Sequence, residues 1–151
     1  MEPHNYQVNV KWNQDRKGVM CSPELSQNPN SCIEVATPPE FPKGIPGIWS
    51  PEHLFTASVS SCLMTTFLAV AENSKLEFVD FSCSAKGKLE QVDGKFLMTK
   101  VELEPIVVIS DENDRARAEK VLEKSERACL ITNSIKAEVT MTAEIKVLQT
   151  T

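Results

Sequence analysis

The sequence predicts an α+β fold in which an antiparallel sheet is covered by two helices. Apolar and polar residues alternate near both ends of the chain, as in strands with one buried face. Two helical segments lie between these ends, separated by a predicted β-hairpin, and this order of elements is typical of an α+β domain. With 151 residues, of which 41% are hydrophobic, the chain is expected to form a single domain over residues 1–151.

The strands are recognised by their two-residue period and by the turns between them. Val10 and Trp12 belong to an alternating run whose apolar face is expected to be buried. Asp93 and Gly94 form a dipeptide that strongly favours a hairpin turn between two long strands. The predicted strands cover residues 6–12, 19–21, 32–36, 77–91, 95–109 and 137–147.

Two helices are predicted from start signals and from apolar periodicity. Ser50, Pro51 and Glu52 supply an N-cap, a first-turn proline and a carboxylate near the positive end of a helix. They follow an irregular connection over residues 37–49, which holds four prolines. The second helix is predicted over residues 111–129, where an apolar stripe recurs with a period of about 3.6 residues.

The first helix contains 18 consecutive residues without a charge, from Leu54 to Ala71. Such a helix needs cover on nearly all sides, which one small sheet and one other helix do not provide. We therefore expect it to be buried at the centre of an intimate homodimer. The run reaches the lower limit for crossing a bilayer. No membrane insertion is expected, because seven of the 18 residues are Ser, Thr or Cys and no aromatic and basic anchors flank them.

Charge and cysteine usage argue against several classes of protein. The net charge is -5 and the basic residues are interleaved with carboxylates, so no nucleic-acid partner is expected. No secretory signal precedes residue 12, and we expect a cytoplasmic location. None of the five cysteines lies in a C-x-x-C pair. Neither a metal site nor a disulfide framework is therefore expected, and the thiols are expected to be reduced.

Two of the cysteines lie where chemistry is plausible. Cys62 falls in the middle of the apolar helix among small residues, where a free cysteine is often only a small core residue. A helix dipole acts only near helix ends, so a reactive Cys62 is expected to need a cation that lowers its pKa. Cys129 lies on the inner face near the C-terminal end of the second helix, a position that suits a resolving thiol. Cys21, Cys32 and Cys83 are expected to be structural, with Cys21 and Cys32 as a possible incidental pair.

Helix geometry limits which residues can share a site with Cys62. His53 precedes it by nine residues, roughly 13 Å along a helix, so the two cannot form a dyad within one chain. Glu52 is separated from Cys62 by roughly 15 Å and by about 80° around the axis. If either residue shares a site with Cys62, two subunits must build that site.

The segment Ser50-Pro51-Glu52-His53-Leu54-Phe55-Thr56-Ala57, followed by Ser60-Ser61-Cys62, resembles the PE-x-L-x-x-A…C signature of the OsmC/Ohr family. A second cysteine at the end of the later helix, Cys129, supports the resemblance. It implies an OsmC-like fold and an intertwined homodimer. The sequence departs from the family at Leu130, because the second cysteine is usually followed by proline. It also lacks the glycine-rich opening turn of typical Ohr members, which favours a general OsmC-like assignment.

The resemblance implies a cysteine-based peroxidase. Cys62 takes the role of the peroxidatic thiolate, Cys129 resolves its sulfenic acid as a disulfide, and Glu52 holds an arginine, most plausibly Arg16, that stabilises the thiolate. The implied substrate is an organic hydroperoxide, with hydrogen peroxide as a further one. An external dithiol or lipoyl-type reductant would restore the enzyme, and no cofactor is expected. The apolar residues expected to line the substrate pocket are Trp49, Phe55, Met64 and Phe67.

Two other functions compete with this interpretation. A non-enzymatic OsmC-like dimer would bind a small apolar ligand or sense redox stress, because one fold can support unrelated functions. A cysteine hydrolase would use His53 across the dimer interface. Whether Arg16 would act on Cys62 of its own subunit or of a partner is left open.

Overall fold

A three-stranded antiparallel sheet forms the first of two compact units, Met1–Leu54 and Phe55–Thr151. The computed structural model describes residues 1–148. The strands of this sheet, in spatial order, are β1 (Asn9–Gln14), β2 (Lys17–Cys21) and β3 (Ile33–Ala36). All three were predicted from the sequence, with ends that differ by a few residues.

The apolar face of β1 is exposed, contrary to the sequence prediction. All six of its residues are exposed, and Val10 and Trp12 keep 70% and 74% of their surface. The two-residue period therefore identified the strand correctly. Val10 and Trp12 line an open cavity within Met1–Leu54, so this unit leaves most of the apolar face of β1 uncovered.

The turn between β1 and β2 carries Arg16 and is fixed by backbone hydrogen bonds. Asp15 adopts a positive φ of 48°, and the Trp12 indole Nε1 donates a hydrogen bond to its carbonyl over 3.0 Å. The Thr37 backbone N–H donates to the Arg16 carbonyl over 3.0 Å. The position of the Arg16 backbone is thus set from two directions. The proline-rich connection over residues 37–49 is irregular, as predicted.

The long helix α1 (Pro51–Asn73) begins where the sequence predicted. Ser50 is fully buried and caps it, because its Oγ accepts a hydrogen bond from the His53 backbone N–H over 3.2 Å. Within residues 1–148, α1 is the one helix that meets the length and composition expected of a membrane span, with 28% of that window buried. A core helix of a soluble protein meets the same criterion, so the expected absence from membranes stays a prediction.

A single chain does not bury α1 on all sides, in line with the expectation that one sheet and one other helix cannot cover it. Its buried residues recur every three or four positions and form one face. Met64 and Leu68 on another face are 40% and 44% exposed. One chain therefore covers only part of this apolar helix, and the homodimer that the sequence predicts stays a prediction.

The second sheet is built around a long hairpin of β4 (Asp80–Val92) and β5 (Lys95–Ile109), paired antiparallel. The turn at Asp93 and Gly94, with φ of 50° and 80°, confirms the hairpin prediction. The closing segment was predicted as one strand. It forms two, β6 (Glu138–Met141) and β7 (Glu144–Val147).

Both closing strands pair with β5 in parallel, so the prediction of an antiparallel sheet is wrong for this edge. The reason is the connection that precedes them. The chain leaves β5, passes through a helix and returns to the same sheet, and such a crossover brings the next strand back in the same direction. The first sheet and the β4–β5 pair are antiparallel as expected.

The crossover contains α2 (Arg115–Ala128) and a one-turn helix, α3 (Leu130–Ser134). The predicted stripe of α2 is confirmed. Its buried residues are Ala118, Val121, Leu122 and Ser125. One core cluster joins α1, β5 and α2 through Phe67, Val107 and Leu122, and a second joins α1 to β5 through Leu63 and Val101. Both cores lie within Phe55–Thr151.

Candidate redox site

Cys62 lies on the buried face of α1 and keeps 8% of its surface. Val59 and Leu63, one turn before and one residue after it, are fully buried in the core against β5. This spacing turns the thiol inward. Its Sγ lies 3.9 Å from Oγ1 of Thr66, one turn further along the same helix.

Cys129 lies at the junction of α2 and α3, where it ends the first helix and precedes the first residue of the second. It is 1% exposed and is a free thiol, as is Cys62. The two thiols lie close enough that each shifts the pKa of the other. The structure therefore brings together the two cysteines that the sequence singled out.

The surroundings of Cys62 favour its thiolate. Burial raises the pKa of the Cys62 thiol, but hydrogen bonds from the Ile131 backbone, the Cys129 and Thr66 side chains and the Leu130 backbone outweigh it and hold the pKa below its ordinary value. All four donors are neutral, and the expectation that a cation further favours the thiolate stays a prediction. Sequence reasoning missed the backbone donors, since it treated Cys129 as the end of a helix and overlooked α3.

The pKa of the Cys129 thiol is shifted in the opposite direction, above its ordinary value. Burial raises the pKa of the Cys129 thiol, hydrogen bonds from Thr132 lower it in part, and the neighbouring Cys62 raises it further. The net pKa is raised. The sequence predicted a thiol that ionises poorly and gave the end of the helix as the cause, whereas the largest cause in the structure is burial. Of the pair, Cys62 is thus the better nucleophile and Cys129 the better proton-bearing partner.

Arg16 and Glu52 line one cavity within Met1–Leu54, with a volume of about 600 Å³. Most of its wall is apolar. The side chains that form the wall include Val10, Trp12, Val35, Pro38 and Phe41. Glu52 has one carboxylate oxygen, Oε2, withdrawn from solvent, whereas Arg16 is exposed. A guanidinium and a carboxylate beside apolar walls can hold a molecule with one polar end and one organic end.

The sequence profile of the OsmC-like protein family matches residues 44–144, which include Glu52, Cys62 and Cys129. The chain belongs to this family. The uncharacterized protein YmaD of Bacillus subtilis is 25% identical over 150 residues, which cover 97% of each chain. Membership of the family confirms the resemblance on which the sequence prediction was based, and with it the OsmC-like α+β fold.

Solved structures have the same fold. An OsmC-like protein of unknown function from Vibrio cholerae matches with a TM-score of 0.81 and 25% identity, over 93% of this chain and 99% of that one. An organic hydroperoxide resistance protein OsmC from Legionella pneumophila matches with a TM-score of 0.74 and 21% identity, over 97% of this chain and 100% of that one. At this second level of identity the match shows the fold alone.

The four residues predicted to line a pocket lie in different surroundings in this OsmC-like protein. Trp49 is 52% exposed and borders a separate cavity of about 300 Å³ together with His53. Met64 is exposed on α1, and Phe55 packs against the core around Val59. Phe67 is fully buried, with its ring stacked on Phe81 and edge-on to Phe78. Their role as a substrate pocket stays a prediction.

Sequence reasoning missed the apolar wall beside Arg16. Trp12 and Phe41 form part of it, although the sequence had placed Trp12 in a buried strand face and Phe41 in a featureless loop. The usable signal was the position of Trp12, four residues before Arg16 in the same β1–β2 hairpin.

His53 is engaged at the start of α1. Its Nδ1 lies 2.7 Å from the Ser50 Oγ, and its ring meets Trp49 edge-on with centroids 6.2 Å apart. The side chain therefore supports the helix cap. Across residues 1–148, no group of three or more His, Cys, Asp or Glu side chains is arranged to hold a metal ion.

Cys21 and Cys32 form a disulfide, which confirms the possible pair and corrects the expectation that all thiols are reduced. The cause is strand register. Met20 pairs with Ile33, so the next residues outward on β2 and before β3 are cross-strand neighbours. Cys83 on β4 is free and half-buried.

Proposed function

We propose that this OsmC-like protein is a thiol-dependent peroxidase that reduces organic hydroperoxides, and also hydrogen peroxide, through Cys62 and Cys129. The observation that supports the proposal is a pair of buried, neighbouring free thiols whose pKa values are shifted in opposite directions. A low-pKa thiol beside a protonated one is the arrangement that a nucleophile and its resolving partner need. The relative from Legionella pneumophila named as an organic hydroperoxide resistance protein supports a peroxide-related redox role.

The chemistry balances with the two cysteines and one external dithiol. The Cys62 thiolate attacks one peroxide oxygen, the O–O bond breaks, and the departing alkoxide takes up a proton to leave as an alcohol. Cys62 is then a sulfenic acid, which Cys129 attacks to form a disulfide with release of water. The external dithiol, for example a lipoyl-type group, reduces the disulfide by exchange and becomes oxidised.

Arg16 and Glu52 are proposed to serve the substrate. The apolar walls of their cavity suit the organic group of a hydroperoxide, and the guanidinium of Arg16 offers a fork of donors to the peroxide oxygens. Glu52 would fix the guanidinium. By resemblance to the family, Arg16 would also favour the Cys62 thiolate, from its own or a partner subunit.

The experiment that tests the proposal is mass mapping of free thiols after one equivalent of an organic hydroperoxide. We expect wild type to lose two free thiols and to gain a Cys62–Cys129 disulfide. Cys62→Ser should keep its Cys129 thiol free. Cys83→Ser is the matched control and should behave as wild type, because burial raises the pKa of the Cys83 thiol that it removes. Unchanged thiols in wild type would rule out the two-cysteine mechanism.

The apolar cavity beside Arg16 also supports a non-enzymatic alternative, the binding of a small apolar ligand. Trp12 lines this cavity, so its fluorescence reports occupancy. Saturable quenching by an unreactive long-chain alcohol, abolished in Trp12→Leu and accompanied by no loss of hydroperoxide in wild type, would favour the binding protein.

A further inference from the structure

The Cys21–Cys32 disulfide closes the loop that connects β2 to β3. Cys21 is the last residue of β2, Cys32 directly precedes β3, and the bond joins positions 11 apart in sequence. Because the two strands are antiparallel neighbours, the bond extends their ladder by one covalent cross-strand pair. The two cysteines of the proposed peroxidase reaction play no part in it.

This disulfide is accessible to small thiols. Cys32 is exposed and Cys21 half-buried, and every residue from 23 to 30 in the loop between them is exposed. Cys62 and Cys129, in contrast, keep only 8% and 1% of their surface. Thiol–disulfide exchange requires in-line access of an attacking thiolate to a sulfur, so the exposure of Cys32 opens the Cys21–Cys32 bond to exchange with small thiols.

Apart from the disulfide, the loop is held by short-range hydrogen bonds, such as those from the Leu25 N–H to the Ser22 carbonyl and from the Asn28 N–H to the Leu25 carbonyl, and not by buried packing. Its single 3-10 turn, Pro23–Leu25, contains no buried residue, and Leu25 is 55% exposed. Glu24 accepts hydrogen bonds from the Gln7 backbone and from Ser22, both at the surface. A loop with so few buried contacts is expected to open readily once the covalent link is lost.

The β2–β3 hairpin carries Arg16 at the end opposite to this loop. Lys17, which follows Arg16, pairs with Ala36, and the next residue, Thr37, donates its N–H to the Arg16 carbonyl. Val35 and Ala36 of β3 line the cavity together with Arg16 and Glu52. Strand β2 has only five residues. If the end that carries the disulfide loosens, we therefore expect the end next to Arg16 to loosen as well.

We propose that Cys21 and Cys32 are a second thiol–disulfide couple, separate from Cys62 and Cys129, whose oxidation orders the hairpin that carries Arg16. Oxidation proceeds by exchange with a small-molecule disulfide such as glutathione disulfide. The two protein thiols give up two electrons and two protons, one disulfide forms in the protein, and two molecules of the small thiol are released. The reverse exchange restores both thiols. The existence of this couple does not depend on the proposed function. Its effect on catalysis does, because that effect rests on the proposed role of Arg16.

The first test equilibrates the triple variant Cys62→Ser, Cys83→Ser, Cys129→Ser in glutathione buffers of increasing oxidised fraction and counts alkylated thiols by mass. We expect one reversible transition in which two alkyl groups are lost together. Because this variant lacks both thiols of the proposed peroxidase reaction, the result is independent of whether that proposal holds. If the pair stays fully reduced or fully oxidised across all buffers, the proposal that Cys21 and Cys32 form a reversible couple is wrong.

The second test measures backbone amide exchange of the full-length wild type in its oxidised form and after reduction, so it does not depend on a variant that folds. We expect the amides of residues 17–21 and 33–37 to exchange about tenfold faster after reduction. Cys32→Ser should match the reduced protein, and Cys83→Ser should match wild type in both states. Equal exchange in the two states would overturn the link between the disulfide and the Arg16 hairpin.

Discussion

At the scale of single residues, the reactivity of the candidate site depends on which atoms face the Cys62 sulfur. Four neutral donors lower its pKa, and two of them are backbone N–H groups of Leu130 and Ile131, at the start of α3. The first N–H groups of a helix have no partner inside it, so they are available to an outside acceptor. The chain thus favours a thiolate by backbone geometry as well as by side chains.

Leu130 gives the sharpest test of this account. Proline, the residue usual at this position in the family, has no N–H, so Leu130→Pro should raise the pKa of Cys62 by removing one donor. The thiolate fraction near pH 7 should then fall by about tenfold, as expected for the loss of ~1.5 kcal/mol of hydrogen bonding to a charged group. The measurement is the rate of Cys62 alkylation against pH, resolved by mass mapping.

The fold should tolerate this substitution. Leu130 is 65% exposed and is the first residue of its helix, where proline is well accepted, and the extended backbone of Cys129 suits a residue before proline. Leu130→Ala is the control, because it shortens the same side chain but keeps the N–H. An alkylation midpoint that stays in place in Leu130→Pro, or moves equally in Leu130→Ala, would contradict the role of this donor.

At the scale of elements, α1 depends on its cap. The buried Ser50 accepts the His53 N–H and also contacts the His53 ring, so Ser50→Ala leaves both groups without that partner. The free energy of unfolding should fall by about 1–2 kcal/mol. Urea denaturation measures it. Ser61→Ala on the exposed face of the same helix should change stability by less than about 0.5 kcal/mol, and equal losses would argue against the cap.

The contact of β4 with α1 depends on Gly87. A Cβ at this position would meet the Thr56 Oγ1 and the Met98 Cε, so Gly87→Ala should overpack the interface and cost about 1–3 kcal/mol. Thr56→Ala removes the closest atom and should restore part of that loss in the double variant. Thermal unfolding of the two single variants and the double variant gives the coupling. Strictly additive losses would show that the close approach does not limit stability.

Individual helices and strands were predicted from the sequence more accurately than the pairing between strands, and particular residues show why. Ser50, Pro51 and Glu52 start a helix, and Asp93 and Gly94 turn a hairpin, because those signals act between neighbours in the chain. The parallel pairing of β6 and β7 with β5 depends on where a crossover returns, which no local pattern encodes.

The candidate site divides in the same way. The choice of Cys62 and Cys129 came from the family resemblance, and the structure brings the two thiols together. The donors of Leu130 and Ile131 were missed, because the sequence was taken to end the second helix at Cys129 and gave no sign of α3. The Cys21–Cys32 bond was foreseen only as a possible pair, because it depends on the register between β2 and β3. The apolar wall at Trp12 was missed because it arises from the meeting of segments that are distant in the sequence.

At the scale of the whole molecule, the uncovered face of α1 is the largest unexplained feature of the single chain. Met64 and Leu68 lie four residues apart within the uncharged stretch of this helix, Leu54 to Ala71, and both keep 40% or more of their surface. An apolar helical stripe of this kind is normally covered, and a second copy of the same chain, related by a two-fold axis, can cover it with its own stripe. We therefore predict a homodimer in solution.

A charge in this stripe should separate the subunits. Leu68→Lys places an ammonium group where two apolar stripes would meet, and across a two-fold axis it faces a second copy of itself. Light scattering after size exclusion should give a dimer for wild type and a monomer for Leu68→Lys. Leu25→Lys, at a loop position that is 55% exposed, is the matched control and should remain dimeric. A monomeric wild type would contradict the prediction, and it would also require the proposed peroxidase to work with Arg16 and Cys62 of one chain.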